Sequence, residues 1–381
     1  MILEQARKNY DDYIKLLQSL VNIDSGSKNK KGVDKVGRIL IDSFKAFDKK
    51  YEIEVIEEEE CGNHLVITKR GNIPGKILLL AHMDTVFPEG TVAQRPFSIA
   101  GNRAYGPGVI DDKGCIASLY YGLKILDEIY EEDTKTIQVI FNSDEEISSI
   151  YSRNIIEKYA GDADYAIILE SARANGDVVT ARKGIAKYVL KVEGKAAHAG
   201  SNPQDGVNAI IELCHKAVEL STLTDWDKGT TVNVGLIQGG TSPNTVPDYG
   251  EITVDIRIST LEEASKIEKK IQQIAQKKYV PGTMTFLEGG IKRPPLEKNQ
   301  YSAKIYETVK DLGAEMGIQI GEVFAGGGSD GNFTSALGIP TIDGLGPVGG
   351  GYHSKDEYMD LDSVIPRISL LIKLIWKLSH L

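Results

Sequence analysis

Residues 78–85 read Leu78-Leu79-Leu80-Ala81-His82-Met83-Asp84-Thr85, and a loop later comes Tyr105-Gly106-Pro107-Gly108-Val109-Ile110-Asp111-Asp112-Lys113-Gly114. The apolar run from Ile77 to Leu80 has the length and composition of a buried strand, and it delivers His82 and Asp84 as it ends. In open α/β sheets, ligands gather at the carboxyl ends of strands, so a site is expected here. Two residues apart on an emerging strand, His82 and Asp84 point to the same side. One can then bind a metal while the other takes the second ring N–H, as carboxylates behind a metal-bound histidine commonly do. A lone His-x-Asp pattern is equally compatible with a purely structural pair, so its neighbours must decide.

Those neighbours stand at the ends of further apolar runs. Thr136 to Phe141 leads into Asn142-Ser143-Asp144-Glu145-Glu146; Tyr165 to Leu169 leads into Glu170; Pro340-Thr341-Ile342 precedes Gly349-Gly350-Gly351-Tyr352-His353-Ser354. One such cluster is ordinarily a solvated turn. Four clusters, each just past a strand, point to a common site.

The order of these motifs, with Gly194-Lys195-Ala196-Ala197-His198-Ala199-Gly200 between them, resembles the di-zinc M20 metallopeptidases. It is most similar to their glutamate carboxypeptidase (carboxypeptidase G2-like) branch, over roughly residue 10 to the end. Two departures stand out. Glu146 is followed by Ile147-Ser148-Ser149 where the family often has a glycine, and position 170 is Glu where several aminopeptidase and dipeptidase branches have Asp. The second departure favours the carboxypeptidase or deacylase side.

The chain has 381 residues, which suggests two domains. Its hydrophobic content of 41% is that of a soluble globular protein, and a net charge of -10 argues against nucleic-acid binding. No 18-residue apolar span predicts a membrane helix. Residues 1–25 are amphipathic and charged, without the apolar centre and cleavage site of a signal peptide, so the cytoplasm is the expected compartment. Cys61, Cys115 and Cys214 lie far apart without metal-type spacing and are expected to be reduced and buried.

Helices are expected over Leu3 to Val21 and Gly32 to Phe47, and a half-exposed strand over Tyr51 to Glu60. The basic cluster Lys28 to Lys31 between the helices reads as a solvated loop. Behind Asp112, Ile116, Leu119, Tyr120, Leu123, Leu126 and Tyr130 follow helical spacing, so a helix starts beside the aspartates. Its N-terminus adds positive potential there. Up to about residue 180 the alternation describes an α/β domain with a mainly parallel sheet. From residue 183 the pattern changes to strand (Ile185 to Val192), helix (Val207 to Leu220), two strands (Thr231 to Gln238, Glu251 to Ile258), helix (Leu261 to Tyr279) and strand (Met284 to Leu287). This βαββαβ order predicts an α+β ferredoxin-like domain, residues 183–295, inserted into a catalytic domain of 1–182 and 296–381. A helix is expected from about Ser302 to Met316, and Gly-rich loops surround Gly326 to Asp330. The family resemblance implies the same layout, with the insert as lid and dimerisation domain.

Two histidines and three carboxylates are ligand types for a pair of divalent ions, with imidazole and carboxylate suiting zinc; Co2+ or Mn2+ are alternatives. Asp111 is assigned the bridge, because a carboxylate can offer one oxygen to each ion. His82 and Glu170 complete one ion, Glu146 and His353 the other, and the resemblance implies the same ligands. Glu145 is read as the general base that takes the water's proton. Asp84 orients His82, and Asp112 is read either as a site residue or as a cap for the helix behind it. The resemblance further implies that His198 stabilises the oxyanion from the partner subunit, and that Asn244 and Arg293 hold a substrate carboxylate. Lys292 adjoins Arg293 and makes that assignment the looser one. The expected protein is a homodimeric zinc hydrolase that cuts the amide before a C-terminal, acidic amino acid of a small peptide or N-acyl amino acid. An N-acyl-amino-acid deacylase or a dipeptidase or tripeptidase would share every metal residue. A non-catalytic metal- or peptide-binding protein would have no use for Glu145.

Overall fold

The computed structural model describes residues 1–47, 51–131 and 133–381. The chain divides into two compact units, one of residues 1–181, 298–324 and 329–381, the other of 182–297 and 325–328. The sequence predicts 296–381 as wholly catalytic. Residues 325–328 cluster instead with the smaller unit, where Lys183 N–H donates to Ala325 O and the Arg182 guanidinium to Gly327 O.

The larger unit is built on an eight-stranded sheet in the order 51–56, 64–69, 135–142, 73–82, 165–168, 341–343, 178–182, 322–325. Its four central strands run parallel, and antiparallel pairs flank them. Parallel strands covered on both faces need continuous apolar runs rather than alternation. Ile77, Leu78, Leu79 and Leu80 meet that demand and are at most 1% exposed. The fold class read from the sequence therefore holds.

Helix Lys113–Tyr130 packs against the C-terminal helix Val364–Ser379 over one face of this sheet. The latter went unread in the sequence because Pro366, Arg367, Lys373 and Lys377 interrupt its apolar pattern. Pro366 falls in the first turn, where a missing N–H costs nothing. Arg367 is buried, but its guanidinium donates to Gly346 O (2.9 Å), Gly176 O (3.0 Å) and Gly344 O, so its polar atoms are satisfied.

The single helix expected over Leu3 to Val21 is two, Ile2–Lys8 and Tyr10–Val21. Asn9 separates them: its amide donates back to Gln5 O at 2.9 Å while Lys124 donates to its Oδ1 at 2.8 Å. A side chain competing with the backbone for such bonds is what breaks a helix at Asn. Cys61 and Cys115 are buried, whereas Cys214 is exposed, against expectation.

In the smaller unit, strands 231–239, 249–258, 184–193 and 284–293 form an antiparallel sheet in that order. Helices Ala209–Ser221 and Leu261–Gln276 belong to the core on one of its faces. Strand 184–193 alternates buried and open residues, as a one-sided sheet requires. Asn208 and Thr260 cap the two helices through Ile211 N–H and Glu263 N–H. Lys216, fully buried beside Glu212, reaches Ile274 O, Ala275 O and Lys277 O at the end of the second helix. The strand order and connectivity are ferredoxin-like.

Candidate active site

Strand Ile73–His82 ends with His82, whose side chain is 3% exposed. Its Nε2 lies 3.1 Å from Asp111 Oδ1, and its Nδ1 lies 3.0 Å from Asp84 O and 3.3 Å from Asp84 Oδ1. Asp84 thus faces the second ring nitrogen, through its carbonyl more closely than its carboxylate. The carboxylate is occupied otherwise: it accepts from Glu145 N–H and Glu146 N–H, each at 3.1 Å, and from Ser27 Oγ at 2.7 Å. Asp84 therefore ties the end of one strand to the turn that follows the next.

Asp111 turns one oxygen to each histidine. Oδ1 faces His82, and Oδ2 lies 3.3 Å from His353 Nε2. Glu170 Oε1 is 3.9 Å from His82 Nε2, and Glu146 Oε2 is 3.4 Å from His353 Nε2. One ligand atom each from Asp111, Glu146 and His353 lie within 4.8 Å of one another; so do those of His82, Glu145 and Glu170. The five residues assigned as ligands are thus assembled in one place, with Glu145 beside the first group. Asp112 caps no helix N–H with its side chain; its Oδ2 accepts from His82 N–H at 3.0 Å and so fixes the strand end.

The electrostatics follow from this packing. Burial pushes the Glu170 carboxyl well above its ordinary range, and Asp111 adds to the effect. Asp111 resists the same push: hydrogen bonds from His353 and His82 hold it well below the carboxylate range. Hydrogen bonds to Asp111 and Glu146 raise His353 to about 10. The imidazoles face carboxylates whose negative charge divalent cations would balance at the same atoms. Glu146 Oε1 is also buried and lacks a hydrogen-bond partner among the described residues. An orphaned carboxylate oxygen in an imidazole–carboxylate set is what a metal ligand looks like in bare protein, so the residues fit a pair of divalent ions.

Several residues that hold this arrangement were not read from the sequence. Glu357, fully buried, accepts from Gly108 N–H (2.9 Å), Ile110 N–H (3.0 Å) and Asp111 N–H (3.2 Å). Gly108 has φ +72°, and a Cβ there would meet Thr85 Cγ2 at 2.5 Å, so only glycine serves. After Glu146, Ser148 (φ +75°) and Ser149 (φ +51°) adopt the left-handed conformation that the family's glycine would take without strain. Asp330 accepts from Ser149 Oγ (2.5 Å) and Asn142 Nδ2 (2.7 Å), while Asp144 accepts from Ser152 Oγ (2.5 Å) and Tyr151 N–H (2.7 Å). This buried network holds the strained turn. His353 itself has φ +58°, a strain of the kind stored at functional sites.

Within the smaller unit, His198 lies in a two-stranded ribbon of 197–198 and 245–246, where it pairs with Thr245, and the carbonyl of Asn244 just before the ribbon accepts from Ala199 N–H at 2.9 Å. His198 Nδ1 accepts from Gly200 N–H (3.1 Å) and Ser201 N–H (3.0 Å), which places its proton on Nε2 as an outward donor. Ser242 Oγ donates to Asn244 Oδ1, which leaves the amide N–H groups facing outward. Arg293 stands at the end of strand 284–293 and is only 2% exposed, whereas Lys292 beside it is open to solvent.

With a parallel sheet that delivers histidines and carboxylates to one centre, the class defined is a metal-dependent hydrolase. The model of peptidase family M20/M25/M40 matches residues 78–377, and the chain belongs to that family. It is 31% identical to carboxypeptidase G2 of Pseudomonas sp. (strain RS-16), over the whole of this chain and 92% of that protein. It is 30% identical to the acetylornithine deacetylase of Vibrio campbellii, over 64% of this chain and 68% of that protein. Among solved structures, aminopeptidase PepT from Bacillus cereus superposes with a TM-score of 0.75 at 25% identity, covering 97% of this chain and 98% of that one. The protein is accordingly a metallopeptidase of the hydrolase class. No helix among the described residues is long and apolar enough to cross a membrane.

Because Glu357 anchors the loop that carries Asp111, Glu357→Ala is expected to destabilise the protein. Three buried N–H groups lose their acceptor, at about 1–3 kcal/mol for each group left unsatisfied. Chemical denaturation and zinc titration of the same variant check this. Unchanged stability together with unchanged zinc affinity would remove Glu357 from the account.

Proposed function

We propose that the protein is a zinc-dependent hydrolase that cuts the amide bond before a C-terminal, acidic amino acid of a small peptide or N-acyl amino acid. The observation that carries this reading is the Asp111 carboxylate, one oxygen toward His82 and the other toward His353, with Glu145 beside the cluster. Imidazole and carboxylate ligands favour zinc among common divalent ions. His82, Asp111 and Glu170 would hold one ion, and Asp111, Glu146 and His353 the other. Such a pair supplies Lewis-acid polarisation of a carbonyl and acidification of water at neutral pH.

The chain's own residues supply the remainder. Glu145 takes a proton from the attacking water and returns it to the leaving amine. Asp84 orients His82 and, through Glu145 N–H and Glu146 N–H, fixes the base relative to the ligands. His198 Nε2–H donates to the oxygen that gains charge as the carbonyl becomes tetrahedral. Asn244 and the Lys292–Arg293 pair take the free carboxylate of the departing amino acid. A deacylase acting on N-acyl amino acids shares all these steps, and the 30% identity to an acetylornithine deacetylase supports it as a second reading. Turnover of a panel of peptidyl and N-acyl amino acids with zinc supplied separates the two, scored by acyl size and C-terminal side chain.

Two chains pair through the smaller unit, and His198 of each serves the other's metals. The support is apolar surface: Leu236 and Ile237 on edge strand 231–239, and Ile211 and Val218 on the helix packed beside it, are all exposed.

Glu145→Gln is expected to retain two zinc ions per chain while turnover falls about 10²–10⁴-fold. Metal analysis and steady-state kinetics check this; more than a tenth of wild-type turnover would move the base elsewhere.

Arg293→Ala is expected to raise KM for substrates with a free α-carboxylate roughly 10- to 150-fold, with little change for the matching amides. Lys292→Ala is measured alongside, since Lys292 is the exposed one. Equal effects of Arg293→Ala on acids and amides would assign Arg293 to structure.

Glu145→Ala and His198→Ala homodimers are each expected to be inactive, whereas co-expression restores about a quarter of wild-type activity. Random pairing makes half the dimers mixed, each with one whole site of two. Verified mixed dimers without activity would refute service in trans.

A further inference from the structure

An open cleft of about 760 Å³ lies in the larger unit against Glu146, and the reaction as proposed does not use it. Segments 26–31 and 85–89 form its sides, with Glu146 and Ile147 between them. Val86, Phe87, Pro88 and Ile147 give it an apolar wall. Five charged residues line it: Lys28, Lys30, Lys31, Glu89 and Glu146. Lys30 is committed to Asn63 Oδ1 at 2.7 Å and Asp34 Oδ2 at 3.1 Å. Lys28 and Lys31 are exposed and enter no ion pair among the described residues. With Lys30 paired to Asp34, Lys28 and Lys31 offset Glu89 and Glu146 in the lining, so the lysine side of the cleft offers two uncommitted cations in a chain of net charge -10.

The cleft is built rather than left between loose loops. Thr85 N–H donates to Ser25 O at 2.9 Å, and Ser27 N–H to Thr85 O at 3.2 Å. Asp24 accepts from Gly90 N–H (2.7 Å) and Val92 N–H (2.8 Å), and Asn29 donates to Asp24 O (2.9 Å) while accepting from Gly32 N–H (3.1 Å). A Cβ on Gly26 would meet Phe87 O at 2.5 Å, so the two segments are in close contact. Arg95 lies over the Phe87 ring at 4.9 Å and donates to Lys355 O at 2.9 Å, which ties that wall to the His353 loop.

We propose that this cleft receives the acyl half of the substrate, and that the preferred acyl group has an apolar body ending in a carboxylate that Lys28 and Lys31 meet. This rests on the carboxypeptidase reading, in which the scissile amide lies at the ligand cluster that includes Glu146 and the adjoining cleft is open to the acyl half. The volume accommodates an aryl group or a short peptidyl segment. Because both ammonium groups are exposed, each contributes modestly, and their joint effect on kcat/KM is roughly 3- to 30-fold, shrinking with added salt.

The test compares N-(4-carboxybenzoyl)-glutamate with N-benzoyl-glutamate on the zinc-loaded protein, for wild type and for Lys28→Gln/Lys31→Gln. Wild type is expected to favour the carboxylated compound roughly 3- to 30-fold, and the double variant to bring that ratio close to one. A wild-type ratio near one, or a ratio that survives the substitutions, overturns the proposal. Turnover of neither compound counts against the carboxypeptidase reading itself. The cleft is then judged by calorimetric binding of the same two compounds: tighter binding of the carboxylated one, lost in the double variant, sustains it, and any other result overturns it.

Discussion

Everything at the centre of this molecule depends on one carboxylate, that of Asp111, being shared between two imidazoles. A short side chain can offer one oxygen to each side only if its backbone is fixed, and here it is fixed from behind. Glu357 accepts the N–H groups of Gly108, Ile110 and Asp111, and Asp112 holds His82 through its backbone. Two buried acids thus spend their hydrogen bonds on the main chain that presents the ligands. Deeply buried carboxylates are costly unless they are bonded in this way.

The Glu145–Glu146 turn solves a related problem. Adjacent acids at the end of a strand must face different tasks, which requires a tight change of direction after residue 142. The chain makes it with a one-turn 3-10 segment followed by two serines in a conformation that suits glycine. Such strain persists only where surrounding bonds over-determine it. Asp84 holds the start of the turn, and Asp330 and Asp144 hold Ser149 and Ser152 at its exit. The departure from the family's glycine is therefore absorbed by side-chain hydroxyls, one of which glycine could not supply.

How much of this was legible in the sequence follows from the range of each interaction. Strands announced themselves through continuous apolar runs, and the residues at their ends, His82, Glu145, Glu146 and Glu170, are those the structure gathers. The inserted βαββαβ pattern was legible because each of its elements is amphipathic. Glu357 and Asp330 were not, since their partners are backbone amides and hydroxyls roughly 180–250 residues away and leave no local pattern. The C-terminal helix was hidden by Pro366 and three charges, of which Arg367 is buried because distant backbone carbonyls satisfy it. Arg293 shows a further limit: its type suggested a carboxylate ligand, and its burial at the end of strand 284–293, beside the exposed Lys292, was not legible from residue type. Cys214, expected to be buried and found on the surface, makes the same point.

The lysine segment shows why a local reading can also be too bland. In isolation, Lys28 to Lys31 is a solvated turn before a helix, and three of its neighbours, Asp24, Ser27 and Asn29, look like ordinary capping and turn residues. In the fold Asp24 binds the strand-end loop 85–92 and Ser27 the Asp84 carboxylate, while Asn29 holds the Asp24 carbonyl, so the turn is attached to the site. Charge placed on a rigid wall near a reaction centre acts differently from charge on a mobile loop. It costs less ordering on binding, so even weakly held carboxylates are discriminated by position. Ser27 reaches the same Asp84 carboxylate that holds the Glu145 and Glu146 N–H groups, so the placement of the lysine turn and of the acidic turn depends on one set of hydrogen bonds.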